Sequence, residues 1–85
     1  MAALGVTEQA RALAEDTVAR RRRVLGEDHP NTLTTASNLA IWLAALGVTE
    51  QARALAEDTL TRRRRVLGED HPDTLSTARV LDGLG

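Results

Sequence analysis

The sequence has no cysteine, lysine, tyrosine or phenylalanine among its 85 residues, and it has a single tryptophan, Trp42. The lack of cysteine excludes disulfide bonds and cysteine–metal sites. It also fits a reducing compartment, so we expect a cytoplasmic protein. With one aromatic residue, the core is expected to consist of leucine, valine, isoleucine and alanine, which let helices approach closely.

An excess of one charge and long apolar runs are also missing. Eleven arginines accompany twelve acidic residues, which gives a net charge of −1, so the overall charge does not favour nucleic acid. No apolar run approaches the roughly 20 residues that span a membrane, and no signal-peptide pattern opens the sequence. We therefore expect no membrane partner, and the length allows one small domain, 1–85.

What the sequence does contain is a near-perfect internal repeat. Residues 2–17 recur letter for letter at 44–59, and residues 20–30 recur at 62–72, with the same offset of 42 residues. A fixed period of this length indicates a repeat protein. In such proteins each unit is one supersecondary element that buries its apolar face by stacking on its neighbours.

Apolar residues at spacings of three and four predict amphipathic helices within each unit. We expect four helices, at about 6–25, 30–46, 49–67 and 72–82. Because the connections are short, neighbouring helices should be antiparallel. Residues 2–5 repeat the end of the second helix, so the sequence is expected to start partway through a unit, as a fragment of a longer array would. Gly83 is expected to break the last helix near a terminus.

The turns carry recognisable start and stop signals. Gly47 is predicted to end the second helix in a left-handed conformation, with Thr49 as the N-cap of the next helix. Pro30 suits the first turn of the second helix. The N-cap of that helix is either Asp28 or Asn31, and the sequence does not decide between them.

Several short motifs recur in the positions that a known repeat family uses. They are Ser37-Asn-Leu-Ala40, Ala45-Leu-Gly47, Ala52 and Leu60 within one unit, and the linkers at 24–33 and 66–75. With them the chain resembles the tetratricopeptide repeat, in its kinesin-light-chain-like 42-residue form. The resemblance covers the whole chain, as one full unit at about 31–72 between two half units. It implies an all-α fold of antiparallel helix pairs stacked as a short right-handed superhelix, and a role in protein–protein interaction.

The resemblance also implies a binding surface on the concave face, where an asparagine of the family motif contacts the backbone of a bound peptide. Asn38 matches that asparagine, and Thr34, Ile41 and Ala45 share its helix face. Trp42 follows four residues after Asn38 and is a candidate anchor for a ligand. Two structural alternatives stay open: Asn38 satisfied by a neighbouring helix or by water, and Trp42 packed in the core.

The arginine runs at 20–23 and 62–65 raise the alternative of non-specific nucleic-acid binding. Four consecutive helical residues point around the whole circumference, however, and no aromatic residues lie between them to stack on bases. We favour solvated helix ends with the intrahelical pairs Asp16–Arg20 and Asp58–Arg62. Arg21 and Arg63 fall near the apolar stripe and are expected to lay their aliphatic stems along it.

His29 and His71, each next to Glu and Asp, could belong to a metal site or to turns that cap helices. They occupy equivalent points of successive units, about 10 Å apart at helix packing distances, which favours the turns. Ser37 and Ser76 have no histidine placed near them. We therefore expect no cofactor, no metal and no enzymatic activity.

The sequence thus predicts a scaffold that binds a protein or a peptide. It also predicts self-association into a homo-oligomer, because half units leave apolar helix faces uncovered. Nucleic acid is the less favoured partner. A further alternative is an engineered or excised repeat fragment with a purely structural role.

Overall fold

A computed structural model describes residues 2–84, with side chains from residue 5 onward, and confirms the all-α class. Four helices make up this part of the chain: α1 (Ala2–Val24), α2 (Pro30–Ala45), α3 (Thr49–Leu67) and α4 (Pro72–Gly83). The expectation that the first helix begins at residue 6 was wrong, because α1 already begins at Ala2.

Each helix packs antiparallel against the next one along the chain. Arg21, in the last turn of α1, donates a hydrogen bond to the carbonyl of Asn31 at the start of α2, at 3.0 Å. Arg63 reaches from the end of α3 to the carbonyl of Asp73 at the start of α4, at 2.8 Å. In addition α2 contacts α4, so α2 touches each of the other three helices.

The core forms where α2 lies between its neighbours. It contains Ala14, Val18, Ala36, Leu39, Leu43 and Ala52, which come from α1, α2 and α3. The small alanine side chains allow the helices to come close, since no aromatic side chain has to be accommodated. The most buried helix is therefore α2, in which Leu33, Ala36 and Ala40 are almost fully enclosed.

Histidines cap the two helices that follow the linkers. The Nδ1 atom of His29 accepts a hydrogen bond from the backbone amide of Asn31 at 3.1 Å, and His71 does the same for Asp73 at 3.0 Å. The prediction of Asp28 or Asn31 as the N-cap was wrong. Pro30 at the first helical position has no amide to be capped, so the first free amide is that of Asn31, which His29 reaches.

The turn between α2 and α3 is closed by backbone bonds alone. Gly47 takes the predicted left-handed conformation with φ +80°, its amide bonds the carbonyl of Ala44, and the amide of Val48 bonds that of Leu43. These bonds place Val48 at the helix boundary. Thr49 is consequently the first helical residue, and the prediction that its side chain caps α3 was wrong.

The same four residues adopt a different structure in the first copy of the repeat. Residues 2–5 repeat residues 44–47, yet Gly5 lies inside α1 and does not end a helix. In the described part of the chain, only residues 2–4 of α1 precede Gly5. No earlier helical turn among these residues therefore has free carbonyls that a turn at Gly5 could satisfy. The prediction that this stretch ends a separate helix was therefore wrong for residues 2–5, and Met1 lies outside the described residues.

The two glycines predict stability changes of opposite sign for the same substitution. Gly47→Ala should lower the free energy of unfolding by about 1 kcal/mol or more, because alanine is strained in the left-handed region. Gly5→Ala should raise it by about 0.5–1 kcal/mol, because alanine is the better helix former. A Cβ atom meets no neighbour at either position, so sterics do not interfere. Urea unfolding followed by circular dichroism measures both, and equal effects would contradict this account.

Candidate functional site

The residues singled out in the sequence lie together on the surface of α2. All five of them are exposed: Thr34, Asn38, Ile41, Trp42 and Ala45. They follow one another at spacings that keep them on one side of the helix, away from the buried Leu39 and Leu43. We call this set the α2 face.

Trp42 is on the surface and not in the core. Its exposed fraction is 36 %, so the structural alternative that packs it among the helices was wrong. Leu39 and Leu43 already occupy the buried side of α2, and Trp42 is rotated about 100° from Leu43. Together with the exposed Ile41 it gives the α2 face its apolar surface.

Asn38 supplies the polar part of the α2 face. Its amide group forms no hydrogen bond with any other residue of the part of the chain that the structure describes, so its donors and its acceptor are free. The equivalent position on α4 is Val80, which is half-buried and apolar. The α4 position equivalent to Asn38 therefore carries no side-chain amide.

A buried arginine supports the α2 face from below. Arg63 is only 4 % exposed, and its guanidinium donates to the hydroxyl oxygens of Thr34 and Thr77 at 3.2 and 2.8 Å. It therefore joins α2, α3 and α4. Burial lowers the pKa of Arg63, while the charge of Asp73 acts in the opposite direction.

The expectation for Arg21 and Arg63 missed what their guanidinium groups do. Arg21 donates to the hydroxyl of Thr35 at 2.9 Å, fourteen residues further on, as Arg63 does to Thr77. A signal for this contact was present in the sequence, since an arginine and a threonine recur at this separation in both units. The spacing could have indicated a bond between successive helices.

The second arginine run is largely occupied by acidic partners. Arg62 binds Asp58, Asp28 and Glu27 at 3.0, 2.9 and 3.3 Å, and Arg65 binds Asp28 at 3.0 Å. The hydrogen bond from Arg62 holds the pKa of Asp28 below its usual value, with a further contribution from Arg65. We call these contacts between the first linker and α3 the linker clamp.

The predicted intrahelical pairs are both present. Asp58 accepts from Arg62, and Asp16 accepts from Arg20 at 3.1 Å. The run at 62–65 is therefore divided between a buried residue, clamp residues and the exposed Arg64, and it does not form one continuous basic surface.

The described residues form neither an enclosed pocket nor a cluster of metal-ligating side chains. Residues 2–84 enclose no cavity, and this segment brings together no group of three histidine or acidic side chains that could hold a metal ion. His29 and His71 act instead as the helix caps described above. Across the same residues, every helix is too short or too polar to cross a bilayer.

Comparison with known proteins connects this architecture to one repeat family. The family model described as "Tetratricopeptide repeat" matches residues 2–31 and 32–73. None of the curated proteins compared with the chain matches it. The two matched segments meet at the start of α2, and together they cover more than half of the chain.

Removal of the buried guanidinium should destabilise the fold. We expect Arg63→Ala to lower the free energy of unfolding by about 2–3 kcal/mol, because three hydrogen-bond acceptors lose their donor and a cavity remains. Arg64→Ala is the matched control, since Arg64 is exposed in the next position, and its effect should stay within about 0.5 kcal/mol. Chemical denaturation measures both; equal effects would show that the buried contacts carry no particular stability.

The linker clamp should be visible in the titration of Asp28. Because the pKa of Asp28 is lowered in the folded protein, the clamp stabilises the fold at pH values above the pKa that Asp28 has in the unfolded chain. This contribution disappears as the pH falls through the lower, folded-state value. In Arg62→Gln the pKa of Asp28, followed by carboxyl carbon NMR, should rise toward the ordinary value. In Arg64→Gln it should stay low, and an unchanged value in Arg62→Gln would contradict the clamp.

Proposed function

The chain belongs to the tetratricopeptide repeat family, a family of protein-interaction scaffolds, and we propose that it binds a peptide or a helix of a partner protein on the α2 face. The observation that carries the proposal is the free amide of Asn38, exposed between Thr34 and the apolar pair of Ile41 and Trp42. An amide can pair with a peptide backbone as donor and as acceptor, while the apolar pair buries side chains of the ligand.

The geometry beneath the α2 face supports binding without large rearrangement. Arg63 holds Thr34 to α3 and α4, and Leu39 and Leu43 anchor the other side of α2 in the core. A surface on a helix fixed in this way loses little conformational entropy when a ligand binds.

We further propose a binding role without catalysis, in the cytoplasm. Ser37, one of the two serines considered as nucleophiles, is buried with its hydroxyl 3.4 Å from that of Thr77. This position supports a packing role for Ser37. The cysteine-free composition supports a reducing compartment.

Association through α1, with a second copy of the chain or with another protein, is a second candidate function. Val6, Ala10, Leu13 and Thr17 follow one another on one side of α1, and Val6 and Leu13 are among the most exposed apolar residues of the described chain. We call these four residues the α1 face. Self-association through it would appear as a rise of molar mass with concentration in light scattering, and a constant monomer mass would contradict it.

Peptides selected from a random phage-displayed library against the whole chain test the α2 face. Asn38→Ala should weaken binding by about tenfold, the cost of leaving backbone groups of the peptide unpaired, and Trp42→Ala should weaken it at least as much. Gln51→Ala removes an exposed amide from α3 and is the matched control.

Fluorescence anisotropy with labelled peptides measures these affinities, and circular dichroism verifies that each variant is folded. If Asn38→Ala and Trp42→Ala leave every affinity unchanged, the α2 face is not the binding site. If Gln51→Ala weakens binding as much as they do, the site lies elsewhere on the bundle.

A further inference from the structure

Two helices with nearly the same sequence, α1 and α3, differ in how far neighbouring helices cover them. Leu13 on α1 is 68 % exposed, whereas its equivalent on α3, Leu55, is half-buried against the core. Val6 is 65 % exposed, and its equivalent Val48 is also half-buried against the core. The letters are identical from 2–17 to 44–59, so the difference comes from the neighbours and not from the side chains.

The neighbour responsible is α2. In each unit a helix packs against the one that follows it, α1 against α2 and α3 against α4. Among the described helices, α3 has one further neighbour, the preceding helix α2, and α1 has no equivalent of it. The α1 face is therefore a second copy of the surface that α2 covers on α3.

The charges at the end of α1 show the same difference. Arg62 has a side chain 24 % exposed and binds the acidic pair Glu27 and Asp28. The side chain of its equivalent Arg20 is 68 % exposed and, of the acidic residues that the structure describes, binds only Asp16. Arg65 binds Asp28, while its equivalent Arg23 has no acidic partner within residues 2–84. Two arginines next to the α1 face thus lack the acidic pair that completes the linker clamp.

We propose that the α1 face, with Arg20 and Arg23, is a docking surface for a helix of another protein built like α2. Such a helix carries leucine and alanine at the spacing of Leu33, Ala36, Leu39, Ala40 and Leu43, and follows an acidic pair like Glu27–Asp28. The leucines cover Leu13 and Val6, the small residues permit close approach, and the acidic pair binds the two arginines.

A second copy of the chain offers a poorer partner. In that copy the helix that would dock is α4, which corresponds to α2 one repeat later. It retains the acidic pair Glu69–Asp70 but has Asp82 at the position of Ala40. Ala40 is fully buried, so stacking a second copy in this arrangement would place a carboxylate without a partner at a buried position, which is costly. The docking surface therefore selects a helix with a small residue there.

A synthetic peptide of residues 27–45 is the probe, because it contains both the acidic pair and α2. Titrated with the whole chain, the fluorescently labelled peptide should bind, and Leu13→Asp in the chain should weaken binding by about tenfold or more. Ala12→Asp is the matched control: Ala12 adjoins Leu13, and its equivalent Ala54 stays exposed beside α2. A peptide with Ala40→Asp should bind as weakly as the intact peptide binds to Leu13→Asp.

The charges provide an independent test by exchange. The double substitution Arg20→Glu and Arg23→Glu in the chain should weaken binding of the peptide. The double substitution Glu27→Arg and Asp28→Arg in the peptide should restore binding to that variant chain. Rescue distinguishes docking at this site from a general loss of stability in the variant chain.

A fusion protein removes the cost of folding a free peptide. When residues 27–43 are placed directly before Ala2, residues 2–5 take the place of residues 44–47, and Gly5 becomes a turn glycine. The midpoint temperature of thermal unfolding should rise by at least about 5 °C relative to the chain alone, as expected for an added interface on a domain of this size. Leu13→Asp should remove this rise in the fusion protein and leave the original chain unaffected, because Leu13 is exposed there.

Three results would overturn the assignment. One is a fusion protein no more stable than the chain itself. Another is peptide binding that Leu13→Asp leaves intact. The third is a concentration-dependent dimer of the chain that Leu13→Asp abolishes, which would give the α1 face to a second copy. None of these depends on Asn38, so each is distinguishable from a failure of the α2 face.

Discussion

The guanidinium group of Arg63 is the contact that ties α2, α3 and α4 to one another. It sits at the end of α3, bonds the first turn of α4 through the carbonyl of Asp73, and reaches α2 through Thr34. A core of leucine and alanine has no directional preference, so helices could slide along one another. The rigid guanidinium of Arg63 restricts that freedom, because its two terminal nitrogens donate to acceptors on α2 and α4 at fixed positions.

The consequence is a separation of roles within one repeated segment. In the run at 62–65, the buried Arg63 joins helices, Arg62 and Arg65 close the linker clamp, and Arg64 is exposed. A run of four identical side chains thus performs different tasks because the helix rotates successive residues by about 100°. The surfaces left over, the α2 face and the α1 face, lie on different helices and present different chemistry to a partner.

The spacing of apolar residues was sufficient to predict the fold. It was not sufficient to predict details that depend on contacts with neighbouring helices. The helical class and the buried positions Leu33, Ala36 and Leu39 follow from spacings of three and four. The sequence also placed Asn38 on the candidate face, but it did not show that Trp42 is exposed, because a tryptophan is equally suited to both environments. The course of the helix through Gly5 was missed because a glycine ends a helix only where carbonyls of an earlier turn remain to be satisfied.

The histidine caps have a consequence for the chemistry of the surface. When Nδ1 of a neutral imidazole accepts a backbone hydrogen bond, the ring proton has to reside on Nε2, so a single tautomer is selected. His29 and His71 both accept in this way, and each ring therefore presents a fixed N–H donor at the same point of its linker. The 42-residue repeat therefore also repeats an imidazole N–H donor, one in each linker.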